Sequence, residues 1–263
     1  MGPARKMPGA HSLDPYESDA LLGQYLLFHY GTPEEILPYA FGPRDALQFP
    51  VRCVAECLDL TRLPPNARAL DLGCAVGRSS FELARHCADV VGIDFSRRFI
   101  ASAAHLKRRG RIAYERSEEG YLSTKTVAVV PEEIDRRRVT FEAGDATALR
   151  EDLGEFDVVL LANLIDRLRN PMSCLTRLPR LLKPGGQLIL ASPYTWLEAF
   201  TPPARWLGGF RRGRKPVRTF DTLTEALGDS FTLAARKDLP FLIREHARKF
   251  QWSVAEATVW IRR

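Results

Sequence analysis

The stretch Ala69-Leu70-Asp71-Leu72-Gly73-Cys74-Ala75-Val76-Gly77-Arg78-Ser79-Ser80 decides how the rest of the chain is read. An apolar run ends in an acid, turns through Gly73 and Gly77, and enters an amphipathic segment at Arg78. The pattern predicts a strand, a turn and a helix. The turn is stripped of side-chain bulk, as a backbone must be where it lies against a ligand.

Downstream, apolar runs alternate with helical periods. Strands are expected over 68–72, 89–93, 139–143, 156–162 and 186–191, and helices over 78–87, 97–109 and 172–182. Such alternation predicts an α/β fold with a mostly parallel, Rossmann-like sheet and helices on both faces. Two stretches interrupt it. Residues 110–138 read as a hairpin insertion before the third strand (111–116, a turn at Glu118-Glu119-Gly120, then 121–130). Residues 193–216, rich in proline, glycine, tryptophan and arginine, read as a long loop over the site. The chain closes with a helix over 221–227, a strand over 231–239, a basic segment through Phe250 and a strand over 252–261. The last two strands are expected as a terminal antiparallel pair that completes seven strands.

Upstream, Leu21, Leu22, Tyr25, Leu26 and Phe28 recur near helical spacing as far as Gly31, and a second helix is expected over 45–59. These form an N-terminal helical cap over 14–65, ahead of a core over 66–263, within a single domain over 14–263. Residues 1–13 hold two prolines and no apolar period, so a disordered leader is expected there.

The 263 residues suffice for one sizeable α/β domain. No apolar run approaches the roughly 18–20 residues that span a bilayer, and no signal-peptide core follows the basic start. The five cysteines are scattered in neither a disulfide framework nor a zinc set. A reduced, cytoplasmic protein without metal or membrane partner is expected. The net charge of +6 is spread along the chain, without an RNA-binding motif or interleaved aromatics. It reads as a solvated surface rather than a nucleic-acid face, and it also suits an anionic small substrate.

Two nucleotide-type ligands compete for the glycine turn. A dinucleotide wants G-x-G-x-x-G with its pyrophosphate at the helix start. Here Ala75 takes the middle position, and Asp71 beneath the turn would repel a pyrophosphate. An acid there suits an ammonium, such as the aminoacyl end of S-adenosylmethionine. Asp94 ends the second strand, where an acid takes ribose hydroxyls. Asp145, after the third strand, is placed to accept from an adenine amino group. Helix capping or a surface ion pair is the alternative reading of each acid.

With these residues in place, the chain resembles the class I S-adenosylmethionine-dependent methyltransferases. The matching motifs are ALDLGCAVGR, VVGIDFS, FEAGDA, FDVVLLANLIDRL and LLKPGGQLILASPY, in that order. Ala75 is a departure, since many members have glycine there. The flanking stretches YESDALLGQYLLFHYG (residues 16–31) and FLIREHARKFQW (residues 241–252) make the chain similar to the ovothiol-pathway methyltransferases. That resemblance implies N-methylation of the imidazole of 5-thiohistidine (4-mercaptohistidine), on the nitrogen nearest the side chain, towards ovothiol A. It also implies S-adenosylmethionine as donor, S-adenosylhomocysteine as product, and functional coupling to the sulfoxide synthase of the pathway. Met1 and the short leader favour a stand-alone enzyme over an excised domain.

The expected donor site comprises Asp71, Gly73, Cys74, Ala75 and Gly77 in the turn, Asp94 and Phe95 after the second strand, Asp145 and Ala146 after the third, and Tyr30, Arg52 and Asn163. Cys74 is a small apolar spacer rather than a nucleophile. The expected acceptor site comprises Tyr16, Gln24, Tyr25 and His29 from the first flank, with Asp166, Tyr194 and Trp196. Arg52 on the donor side, and Arg244 and His246 on the acceptor side, are placed to pair with amino-acid carboxylates. Asn163, Asp166, His29 and Tyr25 are the candidates for catalysis, with Asp166 orienting or deprotonating the ring.

Methyl transfer from a sulfonium is an in-line displacement, so positioning contributes most, up to roughly 7–11 kcal/mol. An aromatic or carbonyl-lined cage favours the cationic sulfonium. The acceptor's thiolate is the better nucleophile, so geometry must hold it away from the methyl group. The residues alone leave open another small acceptor, an RNA-binding or RNA-modifying protein, and a module that binds donor without turnover.

Overall fold

The computed structural model describes residues 18–263, so the expected leader and Tyr16 lie outside the described residues. A seven-stranded sheet organises the chain, in the order β10–β11–β7–β6–β1–β2–β5. Its strands are β1 (Arg68–Leu72), β2 (Asp89–Asp94), β5 (Val139–Ala143), β6 (Phe156–Ala162), β7 (Leu182–Ser192), β10 (Phe231–His246) and β11 (Lys249–Arg262). β1 pairs in parallel with β2 and with β6. The chain therefore winds outward from β1 in one direction and from β6 in the other. Their junction is the switch point where such sheets open a ligand crevice beyond their carboxyl ends.

Alternation along the strands feeds two cores. Val158 and Leu160 of β6 face one apolar layer, and Val159 and Leu161 face the other. The helices α4 (Arg78–Leu83), α5 (Arg97–Arg109), α6 (Pro171–Arg177) and α7 (Thr219–Leu227) connect the strands. β11 runs antiparallel both to β7 and to β10, so the last strand is the one inserted into the sheet and β10 forms its edge.

Several expected bounds change for local reasons. The helix expected over 45–59 is a short 3-10 turn (Arg44–Ala46) followed by α3 (Phe49–Ala55). Pro50 cannot donate inside a helix, and it occupies the first turn of α3 after Gln48 adopts φ 56°. The helix expected over 172–182 ends at Arg177 and tightens into a 3-10 turn across Pro179. The helix expected over 78–87 ends at Leu83. The basic segment expected between the last two strands, up to Phe250, belongs to the β10–β11 ribbon, whose pairing runs on to His246 and Lys249.

The insertion forms a separate two-stranded sheet of β3 (Arg111–Glu119) and β4 (Leu122–Val129). It covers the cap. Helix α1 (Asp19–Tyr30) is capped by Ser18 and is apolar on every side, with Leu26, Leu27 and Phe28 buried. A helix apolar all round must be enclosed. α1 packs against β3, β4, β10, α3 and the short α2 (Pro33–Ile36). At Gly23 a β-carbon would lie 2.5 Å from the carbonyl oxygen of Glu115. Only glycine lets helix and hairpin approach this closely.

Gly23→Ala therefore lowers stability by about 1–3 kcal/mol in urea unfolding, although alanine in an open helix would gain about 1 kcal/mol. A stabilised variant would contradict this packing.

Candidate active site

The carboxyl ends of β1, β2, β5, β6 and β7 bring the expected donor residues to one edge. After β1 the chain turns through Gly73 (φ 73°), Ala75 (φ 47°) and Gly77 (φ 86°). A β-carbon at Gly73 would lie 2.9 Å from Leu164, and one at Gly77 2.5 Å from Phe141. The turn is thus packed from below and needs glycine at both positions. Ala75 takes the left-handed conformation as a non-glycine residue, at a cost of about 1–2 kcal/mol. Its amide is held by Asp94, whose Oδ2 accepts from Ala75 N at 2.9 Å while Oδ1 accepts from Ser96 N at 2.8 Å. Asp94 thereby ties the turn to the end of β2. Phe95, next in sequence, is exposed.

Beneath the turn, Asp71 is buried and accepts from Ser80 Oγ at 2.6 Å. Burial, helped by the charge of Asp94 and opposed by Ser80, pushes its carboxyl up to about 7. An incoming ammonium would favour the carboxylate. Cys74 is buried, and burial pushes its thiol well up, so it is a spacer without thiolate character.

Asp145 is exposed and Ala146 is buried after β5. Asp145 Oδ1 accepts from both Thr147 N and Thr147 Oγ1 at 2.7 Å, so half of this carboxylate closes the local turn. Asn163 follows β6 with φ 53°, and its amide donates to Ala191 O at 2.7 Å. Its buried Oδ1 accepts no hydrogen bond among the described residues. Tyr194, after β7, has φ 54°. Among the described residues, three of the four non-glycine residues with positive φ, namely Ala75, Asn163 and Tyr194, therefore sit at strand ends on one edge. Strain of this kind gathers where geometry is held for a ligand.

The cap reaches this edge through Tyr30, whose hydroxyl donates to Val76 O at 2.8 Å. Earlier on α1, Gln24 and Tyr25 are half-buried. Tyr25 packs on Phe99 of α5 with ring centroids 4.7 Å apart, and His29 stacks on Tyr25 at 5.9 Å. Burial and the Arg78 guanidinium push His29 down to about 3. Asp166 is fully buried; its Oδ2 accepts from Thr195 N at 2.8 Å and Arg167 Nη1 at 2.9 Å. It clamps the segments that follow β6 and β7 together, which fits orientation better than proton removal.

The remaining expected site residues are engaged within the protein. Arg52 bonds to Glu56 at 2.5 Å and to Pro240 O at 2.9 Å, bracing α3 on β10 rather than meeting a donor. Arg244 is buried and bonds to Glu118 at 2.5 Å and to Glu35 O at 2.6 Å, so it joins α2, the insertion and the ribbon instead of an acceptor carboxylate. His246 Nδ1 accepts from Arg248 N at 3.3 Å within the ribbon's turn. Trp196 is buried and its indole donates to Thr219 Oγ1 at 2.9 Å, anchoring the loop. Tyr194 donates to Glu256 at 2.8 Å and, with Trp196, lines a cavity of about 440 Å³ under that loop. Within the loop, β8 (Phe210–Arg212) pairs with β9 (Lys215–Val217).

Sequence reasoning missed Ser80, Arg78 and Ser96. Both Ser80 and Arg78 lie within the helix that follows the turn; Ser80 donates back to Asp71 of β1, and Arg78 pairs with Glu82 one turn along the same helix. Among the described residues, no group of three His, Cys, Asp or Glu could hold a metal, and no helix is long and apolar enough to cross a membrane.

Residues 70–190 match the protein family described as "Methyltransferase domain". A ubiquinone biosynthesis O-methyltransferase of Dechloromonas aromatica is 32% identical over 127 residues, 48% of this chain and 44% of that protein. A demethylmenaquinone methyltransferase of Beutenbergia cavernae is 31% identical over 146 residues, 56% of this chain and 46% of that protein. The chain thus spans about half the length of the curated relatives it matches. A solved structure described for conversion of a disulfide bond into a thioacetal group during echinomycin biosynthesis aligns with TM-score 0.51 at 16% identity, over 81% of this chain and 80% of that one.

Raised above its unfolded value, Asp71 binds a proton in the folded protein that the unfolded chain has released, so its contribution to stability weakens as pH rises from about 4 to about 7. Asp71→Asn removes this penalty. The variant is expected to gain up to about 4 kcal/mol over wild type at pH 8 and little at pH 4, in urea unfolding at both. Equal gains at the two pH values would show that Asp71 is ionised normally.

Proposed function

We propose that the chain is a class I S-adenosylmethionine-dependent methyltransferase, as its match to the methyltransferase domain family and its relatives supports, and that it transfers the donor's methyl group to a ring nitrogen of 5-thiohistidine. The donor half of this reading is supported by Asp71, Asp94 and Asp145 at successive strand ends around a turn that rejects side chains. Asp71 would take the ammonium, Asp94 the ribose, Phe95 the face of the adenine, and Asp145 with the Ala146 backbone its edge.

One observation carries the acceptor half. The two stretches that bear the ovothiol-pathway resemblance lie far apart in sequence yet form one lobe beside the crevice. Phe28 of the first stands 6.2 Å from Phe241 of the second, and two residues between the first stretch and the core, Phe49 at 4.9 Å from Phe241 and Tyr39 donating to Ala247 O at 3.0 Å, complete the lobe. The family match over 70–190 includes neither stretch.

Transfer breaks the sulfonium C–S bond with its electron pair going to sulfur, and forms the N–C bond from the ring nitrogen's lone pair. The chain's part is to line up the two reactants. Asn163 Oδ1 would accept a hydrogen bond from donor or acceptor. Asp166, clamping Arg167 to Thr195, keeps the ends of β6 and β7 in register about the transferring group. A second reading, a class I enzyme for an oxygen acceptor, is favoured by the O-methyltransferase relatives.

Purified protein with S-adenosylmethionine should convert 5-thiohistidine to an N-methyl product, at least about 100-fold faster than histidine, followed by mass spectrometry. Methylation of a catechol and not of 5-thiohistidine would establish the second reading instead.

A further inference from the structure

We propose that His29 reads the acceptor ring as a neutral hydrogen-bond acceptor, and so decides which ring nitrogen receives the methyl group. This rests on the function proposed above. His29 is bracketed along α1. On one side Tyr25, 5.9 Å away, packs on Phe99, four residues beyond Phe95 of the expected adenosine site. On the other, Tyr30 at 6.4 Å is tied by its hydroxyl to Val76 O in the glycine turn. Phe28 meets the His29 ring edge-on at 5.4 Å. The ring is thereby held in orientation between the two ends of the donor site. Its Nδ1 is buried and has no hydrogen-bond partner among the described residues. Buried polar atoms are seldom left so, because the loss of hydration is not made good. A ligand N–H at this position would satisfy it.

The charge state limits what the ring can do. Burial and the Arg78 guanidinium hold His29 down to about 3, so the ring is neutral at pH 7. Arg78 is itself fixed by Glu82 at 2.7 Å, and the phenol of Tyr30 on the same helix is held uncharged by burial. Such an imidazole is a poor general base, whose pKa belongs near the working pH. It is a well-placed neutral partner instead.

The reaction does not need it to be a base. The thiolate form of 5-thiohistidine has a neutral ring, with one N–H and one nitrogen bearing a lone pair. If His29 Nδ1 accepts that N–H, the lone pair must lie on the other nitrogen. That nitrogen attacks, the sulfonium becomes a thioether, and the product is an imidazolium thiolate. No proton moves in the transfer step, and the atoms and charges balance. His29 itself carries its proton on Nε2 throughout.

The test compares wild type with His29→Phe, which keeps ring bulk without an acceptor atom, and His29→Asn, which keeps an oxygen near the Nδ1 position. His29→Phe should raise KM for 5-thiohistidine about 10- to 100-fold and yield a mixture of methylated positions, while affinity for S-adenosylhomocysteine changes less than twofold. His29→Asn should recover most of the KM and the single product, with the pH profile of kcat unchanged. An unaltered KM and product in His29→Phe would make the ring a packing element. Loss of the acid limb of the profile in His29→Asn would make it a base. Either overturns the inference. If wild type does not methylate 5-thiohistidine, the proposed function falls. His29 is then judged by imidazole 15N NMR of the S-adenosylhomocysteine complex: a neutral Nε2–H ring from pH 5 to 8 agrees with the assignment, and protonation in that range overturns it.

Discussion

The carboxylate of Asp94 holds the end of β2 to the turn after β1, accepting the amide of Ala75 on one oxygen and that of Ser96 on the other. The rest of the site follows from this clasp. It keeps Ala75 in a left-handed conformation that an unsupported alanine would leave. It also sets where the turn runs above Phe141 and Leu164, which leave no room for β-carbons at Gly77 and Gly73. A turn fixed from the side and from below presents its backbone upward and delivers Arg78 into α4. Tyr30 then joins the cap to the same turn at Val76.

Around this edge the chain builds a second layer from three separate pieces. The cap helix is apolar on all sides, so it is stable only when enclosed by the insertion, the ribbon and α3. Arg244 locks that enclosure by bonding at once to Glu118 of the insertion and to the carbonyl of Glu35. Such a buried guanidinium adds directionality that apolar contacts lack, and its removal would leave Glu118 without its nearest buried cation. The insertion is thus part of the wall rather than a decoration, and Ala247 donating to Glu118 O extends the contact to the ribbon's tip.

How far the sequence could be read depended on whether a feature is written in neighbouring residues. Asp71, Gly73, Gly77 and Asp94 announced themselves through strand–turn patterns, and the structure brings them to one edge. The alternating order of strands and helices likewise carried the seven-stranded sheet. Helical periodicity misjudged the stretches around Pro50 and Pro179, where a missing amide outweighs the apolar spacing. The long ribbon was read short because residues 240–246 are paired and buried by the distant cap, which no local pattern records. Arg52, Arg244 and His246 looked like anion binders because a lone cation carries no mark of its partner. Glu118 reaches Arg244 only on folding, whereas Glu56 lies one helical turn from Arg52 and the amide that meets His246 is two residues on, local pairings that compete with an anion. The unsatisfied Oδ1 of Asn163 is a property of the folded edge and has no signature in the chain.

The central claim is that this edge binds S-adenosylmethionine through acids at the strand ends, and calorimetric titration with S-adenosylhomocysteine tests it most directly. Wild type should bind with a single site per chain. Asp94→Ala, folded by circular dichroism, should bind about tenfold or more weakly, as expected when a charge-assisted hydrogen bond at a half-buried carboxylate is lost. Undiminished affinity in folded Asp94→Ala, or wild type that binds NADH in preference to S-adenosylhomocysteine, would contradict the account.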